Sequence, residues 1–380
     1  MLSLLLVLAA APAGGPELLA RFECHRCHEG SGLAEMGESR HCVKCHQAIL
    51  EDRFEAPKAT LSAWRTNLRS LRVVPSLAGV GRVLRRDWVQ AYLQSPHDLR
   101  PELPATMPRL RLSAEEASLL ARHLVPEETK AALPSSARVE AGRALYRLHR
   151  CGDCHRFSGS GEEPRPDSPF RAETDGAPAA APMALAPDLR FSRARLQPGV
   201  LGAWLENPRA LRPDSLMPRF ELEPHEVNAL ASFVWHAKLE SVPPLPIPAR
   251  LPVLERRVGY AEVAERIFRK VCWHCHSAPD YNRGDGGPGN TGGFGFAARG
   301  LDLSSYEGIS AGLVGNDGQR KSVFQPTKDG TPLLLSVLLT RRLEDRGLSS
   351  DERGMPLGLP SMSEEEVQLL ESWIAQGRPR

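Results

Sequence analysis

"ECHRCHEGSGLAEMGESRHCVKCH", residues 23–46, carries two copies of Cys-x-x-Cys-His in close succession. All eight cysteines of the chain fall in such units: Cys24/Cys27/His28, Cys42/Cys45/His46, Cys151/Cys154/His155 and Cys272/Cys275/His276. The motif is an attachment signature for c-type haem. Two thiols with two residues between them reach the vinyl groups at one porphyrin edge, and the adjacent His offers its ring to the iron. The spacing of Cys24–Cys27 and Cys42–Cys45 also suits a Cys₄ zinc ribbon. Neither zinc nor disulfides would explain a His after every cysteine pair. The sequence therefore predicts four covalently attached haem c groups.

The N-terminus fits that chemistry. "MLSLLLVLAAAPAGG" has an apolar run from Leu2 to Ala10 and then Ala11-Pro12-Ala13, an A-x-A cleavage pattern. Residues 1–13 are expected to be a signal peptide cleaved after Ala13, sending the protein to the bacterial periplasm, where haem c is attached. The run falls short of the about 20 apolar residues that span a bilayer, and no later stretch qualifies, so no transmembrane segment is expected in the mature chain. A net charge of +2 gives no call for a nucleic-acid partner. Aromatic content of 6% suits small domains built around a large planar cofactor, and 33 prolines with 32 glycines predict long loops.

A repeat runs through the chain. "YLQSPHDLRPELPATMPRLRLSAEEASLLARHL" (92–124) matches "WLENPRALRPDSLMPRFELEPHEVNALASFVW" (204–235), aligning Pro96 with Pro208 and Met107-Pro108 with Met217-Pro218. Met107 lies as far beyond Cys42 as Met217 lies beyond Cys151, to within one position. That spacing pairs Met107 with the second motif. A helix is expected after each Met-Pro, opened by the capping boxes Ser113-x-x-Glu116 and, after Met355-Pro356, Ser363-x-x-Glu366. Helical segments are also expected ahead of the third and fourth motifs, where Gly142/Tyr146 and Ala264/Phe268 set a small residue before an aromatic to allow a close crossing.

Helix, Cys-x-x-Cys-His, loop, Met-Pro and an amphipathic helix resemble the class I cytochrome c fold, over roughly 31–125, 136–237 and 258–377. The resemblance implies an all-α protein of three such domains in tandem, the first dihaem. The expected division is a dihaem domain over 14–130, monohaem domains over 131–240 and 255–380, and a Pro-rich linker at 241–254. The polar stretch 158–182 reads as a surface insertion and "RGDGGPGNTGGFG" (283–295) as a haem-crevice loop, with Asp280 and Asp285 a weak calcium alternative.

Axial ligands then follow. The expected pairs are His46/Met107, His155/Met217 and His276/Met355, with Met362 and Met183 as competitors. The first haem, on His28, lacks a Met-bearing half. His41, pinned beside Cys42, is favoured as its distal ligand over Met36, with an open site third. His25 and His274, inside their motifs, are not expected to ligate. The cluster Arg65, Arg69, Arg72, Arg82, Arg85 and Arg86 suits either haem propionates or a solvated basic face. The functional expectation is a periplasmic electron relay, with no catalytic residues, serving periplasmic redox proteins or a membrane respiratory complex. The alternatives are a dihaem peroxidase-like enzyme or a gas sensor, using the first haem as an open site.

Overall fold

The computed structural model describes residues 14–68, 74–97, 99–100, 106–162, 185–244, 246–278, 290–348 and 352–380. The protein is mostly helical. Its strands among the described residues form one short antiparallel pair, Leu313–Val314 with Arg320–Lys321. No helix there is long and apolar enough to cross a membrane.

Residues 139–238 show the frame most plainly. Helix Val139–Leu148 packs on helix Pro224–His236. A Cβ at Gly142 would lie 1.9 Å from the Ala229 carbonyl, so only glycine permits this crossing. Tyr146, Phe157 and Phe233 fill the space beside it as edge-to-face and tilted rings, within a core that includes Leu196, Val200, Leu201 and Leu230. The second helix opens on a capping box formed by Glu223 and Glu226, which the sequence reading did not anticipate.

The same frame recurs nearer the N-terminus, and it begins at Gly15 rather than at 31. Helix Gly15–Arg21 packs on helix Ala114–Leu124, burying Leu18, Leu19 and Phe22 against Leu110, Leu112, Ala117 and Leu120. The Ser113/Glu116 capping box forms as expected. An added segment interrupts this frame. Helices Cys42–Leu50 and Lys58–Arg65 pack together over a small separate core of Ala48, Ile49 and Phe54.

At the C-terminal end, Tyr260–Val263 continues into a π-helical turn, Ala264–Phe268, which packs on helix Glu364–Ala375. Trp373 is 1% exposed and anchors this core among Tyr260, Phe268, Tyr306 and Phe324. The Ser363/Glu366 capping box forms here too.

Segment 81–85 joins segment 195–197. Leu84 faces Leu196 in an antiparallel bridge, Arg85 N–H donates to the Arg195 carbonyl and Gln197 N–H to the Val83 carbonyl, both at 2.9 Å. The described part of the proline-rich 241–254 stretch has no helix or strand, and its end lies along helix Glu364–Ala375, where Leu254 N–H donates to Ser372 Oγ at 2.9 Å. Of the surface insertion expected at 158–182, residues 163–182 lie outside the described residues, as do Met183, Asp280 and Asp285.

Candidate functional site

Three of the four Cys-x-x-Cys-His motifs are built alike. Each forms a single 3₁₀ turn (Cys24–Arg26, Cys151–Asp153 and Cys272–His274) directly after a helix. In each the ligand His donates its backbone N–H to the first cysteine's carbonyl, at 2.9, 2.9 and 3.0 Å. The first and third share more. Glu23 and Arg150, just before their first cysteines, both take the left-handed conformation that turns the chain out of the helix. The second motif differs in kind, because Cys42 opens helix Cys42–Leu50 instead of following one.

The histidines carry a matching support. His28 Nδ1 donates to the Pro75 carbonyl at 2.7 Å, and His155 Nδ1 to the Pro187 carbonyl at 3.0 Å. Two residues on, Leu77 N–H donates to the Glu29 carbonyl (2.8 Å) and Leu189 N–H to the Arg156 carbonyl (2.9 Å). Pro75 and Pro187 stand at the same offset as Pro96 and Pro208, so the repeat extends upstream of the part visible in the Met-Pro halves. A proton fixed on Nδ1 leaves Nε2 with its lone pair free to bind a metal. Burial holds both imidazoles below their ordinary pKa, hence neutral, and pushes His276 down to about 4.

The eight cysteines form no disulfides. Burial pushes the thiols of Cys24, Cys151 and Cys275 up to about 11 and those of Cys45 and Cys272 up to about 12, unlike the thiolates of a metal site, whereas the neighbouring Cys27 thiol holds Cys42 down to about 7. Among the described residues no group of three or more His, Cys, Asp or Glu converges as a metal site, so the zinc-ribbon geometry does not form. Paired thiols, with a neutral His whose Nε2 is unencumbered in the two Pro-supported motifs, fit covalent haem c. The cysteine pairs would hold it, and the histidines would bind its iron, the centre that gains and loses the electron.

The methionines are placed as follows. Met217 is half-buried at the edge of the 139–238 core, and Trp204 Nε1 donates to its Sδ at 3.1 Å. Met107 is half-buried just before Leu110 enters the N-terminal core. Met355 borders the C-terminal core, its N–H bonded to the Val337 carbonyl at 2.9 Å. Met362 is 4% exposed inside that core, where its thioether serves packing. Met36 is half-buried.

His41 is 3% exposed and caps helix Cys42–Leu50: its Nδ1 accepts from Lys44 N–H at 3.2 Å. An accepting Nδ1 puts the proton on Nε2, which is buried without a partner. His41 lies near enough to His28 for their charges to interact, yet to ligate iron through Nε2 its ring must give up the cap, at a cost of about 1 kcal/mol.

Arg65, Arg85 and Arg86 of the arginine cluster bond to the protein itself, whereas Arg82 is exposed. Arg65 bonds the Ile49 carbonyl and pairs with Asp52; Arg85 pairs with Asp87; Arg86 bonds the Val125 carbonyl. Arg69 and Arg72 lie outside the described residues. Sequence reading missed Gly15, Pro75, Pro187, Trp204 and Arg26; running the repeat back through "PSL" (75–77) and "PDL" (187–189) exposes the two prolines.

No curated protein and no solved structure matches the chain. Residues 139–238, the helix pair around Cys151, His155 and Met217, match the family model for Cytochrome c. The chain thus contains a cytochrome c domain, which implies covalently bound haem c and supports a haem-based electron-transfer role.

Proposed function

We propose that the protein is a tetrahaem c-type cytochrome, exported to the periplasm, that relays electrons between periplasmic redox proteins or a membrane respiratory complex. It is read as three class I units over 14–130, 131–240 and 255–380, with Cys24/Cys27, Cys42/Cys45, Cys151/Cys154 and Cys272/Cys275 holding the haems. The observation that carries this reading is the repeated constellation of helix pair, 3₁₀ motif turn and Pro carbonyl on the ligand His, found at His28 as at His155. Cleavage after Ala13 would spare helix Gly15–Arg21, whose Leu18 and Leu19 belong to the core.

The ligand pairs change accordingly. We keep His155/Met217 and His276/Met355 as pairs and, because helix Gly15–Arg21 crosses helix Ala114–Leu124, read Met107 as the partner of His28 instead of His46. The equal spacing from Cys42 is then a coincidence of the added segment's length. The haem on Cys42, Cys45 and His46 becomes the one without a Met-bearing half, and His41 remains the cap of its helix. His274 comes near enough to His46 for their charges to interact. Intact mass after maturation should exceed the mature polypeptide by four haems. Carbon monoxide added to the reduced protein tests the peroxidase-like and gas-sensing alternative: rapid binding at one haem supports it, and none supports a pure relay. His41→Ala and His274→Ala then separate their candidates, since loss of the true ligand creates a high-spin haem.

A further inference from the structure

We propose that the Cys24–His28, Cys42–His46 and Cys272–His276 motifs form one redox cluster around the buried guanidinium of Arg26, and that the Cys151–His155 motif stands outside it. This rests on the tetrahaem reading.

The contacts come from both ends of the chain. Trp64, on the added segment, stacks on Trp273 of the fourth motif, with centroids 6.3 Å apart and planes at 20°. Phe294 N–H donates to Glu23 Oε2 at 3.0 Å, and Arg26 lies over the Phe294 ring at 5.1 Å. A Cβ at Gly295 would lie 2.6 Å from the Phe22 ring, so the approach is close. Within the N-terminal region Lys44, inside the second motif, pairs with Glu29, beside His28, at 3.0 Å. Haems held on the first two motifs would therefore lie close together.

Arg26 is central to this arrangement. It is 8% exposed and sits between Glu23, just ahead of the first motif, at 3.4 Å, and the Phe294 ring of the loop beyond the fourth. From there its charge reaches Cys42 of the second motif and His274 and Cys275 of the fourth. The groups that act on Cys151, Cys154 and His155 all lie within 139–238, among them Asp153, Asp188 and Arg195. A buried cation favours the ferrous state, which carries one positive charge less, and low-dielectric surroundings let it act at several irons at once. Electrons would then equilibrate among the first, second and fourth haems before reaching the third.

The test is a potentiometric titration of the full-length holoprotein, with Met217→His marking the third haem. Arg26→Gln should lower three of the four midpoints and leave the marked haem unmoved, while Arg26→Lys should restore most of the shift. A shift confined to one haem, or one that includes the marked haem, overturns the cluster. A second measurement does not depend on the substitution at Arg26. Haems packed closely couple excitonically, so the Soret circular dichroism of the holoprotein should be bisignate. That signal should fall in Cys272→Ala/Cys275→Ala and persist in Cys151→Ala/Cys154→Ala; the reverse pattern overturns the proposal. Fewer than four haems in the unsubstituted protein would instead refute the tetrahaem reading itself.

Discussion

Residues 15–125 and 139–238 share a frame and differ in what interrupts it. In the second copy the chain returns from His155 to Pro187 through a stretch without cysteines; in the first it returns from His28 to Pro75 through Cys42, Cys45 and His46. The added segment brings its own small core, Ala48, Ile49 and Phe54, and leaves the helix crossing beneath it intact. A loop between two fixed points tolerates insertion at little entropic cost. Here the inserted loop is also the one that carries a further Cys-x-x-Cys-His motif.

The helix crossing should show the largest difference between the copies. Gly142→Ala drives a methyl into the backbone of helix Pro224–His236 and should cost about 3 kcal/mol or more, read as a lowered denaturation midpoint. Gly15→Ala meets the side chain of His123, 2.2 Å away, at the first turn of its helix, where the chain can shift. It should cost roughly half as much. Equal losses would show two equally tight crossings and remove the expected difference between the copies.

The ligand assignment is broken or sharpened by removing the added haem. In a Cys42→Ala/Cys45→Ala background, Met107→Ala should still turn one remaining haem into a carbon-monoxide-binding species. If Met107 serves His46, that variant will be spectrally silent. The smallest effect is expected at Trp204, where the first copy has Tyr92. Trp204→Phe removes the indole N–H from Met217 Sδ and should lower one potential by about 20 mV, the equivalent of a weak hydrogen bond. A rise, or a shift at more than one haem, would count against Met217 as the ligand.

Much of this was legible in the residues themselves. Four Cys-x-x-Cys-His motifs, the capped helices after Met107 and Met355, and the Gly142 crossing need only local chemistry and spacing. The frame around His28 was not legible, for a definite reason. Helix Gly15–Arg21 is short and abuts the apolar run 2–10, so its periodicity merges with that run. The equal distances from Cys42 and Cys151 to their methionines then pointed to the second motif, away from the frame that encloses His28. The fate of the arginines was hidden as well, because Asp52 and the Ile49 and Val125 carbonyls come to them only through tertiary folding.

The bridge at Leu84 and Leu196 has a consequence for assembly. These residues occupy the same place in the repeat, and so do the pairs around them: Arg85 bonds Arg195 as Gln197 bonds Val83. The two copies therefore meet about a local twofold axis, the arrangement of an isologous dimer written into one chain. Such an interface closes on itself, since each edge is consumed by its counterpart, and no third copy can extend the row. The C-terminal region consequently attaches by another route, through Trp273 and the 293–295 loop against the motif-bearing face. Point symmetry in two of the units thus leaves the remaining one the side that carries the first two Cys-x-x-Cys-His motifs.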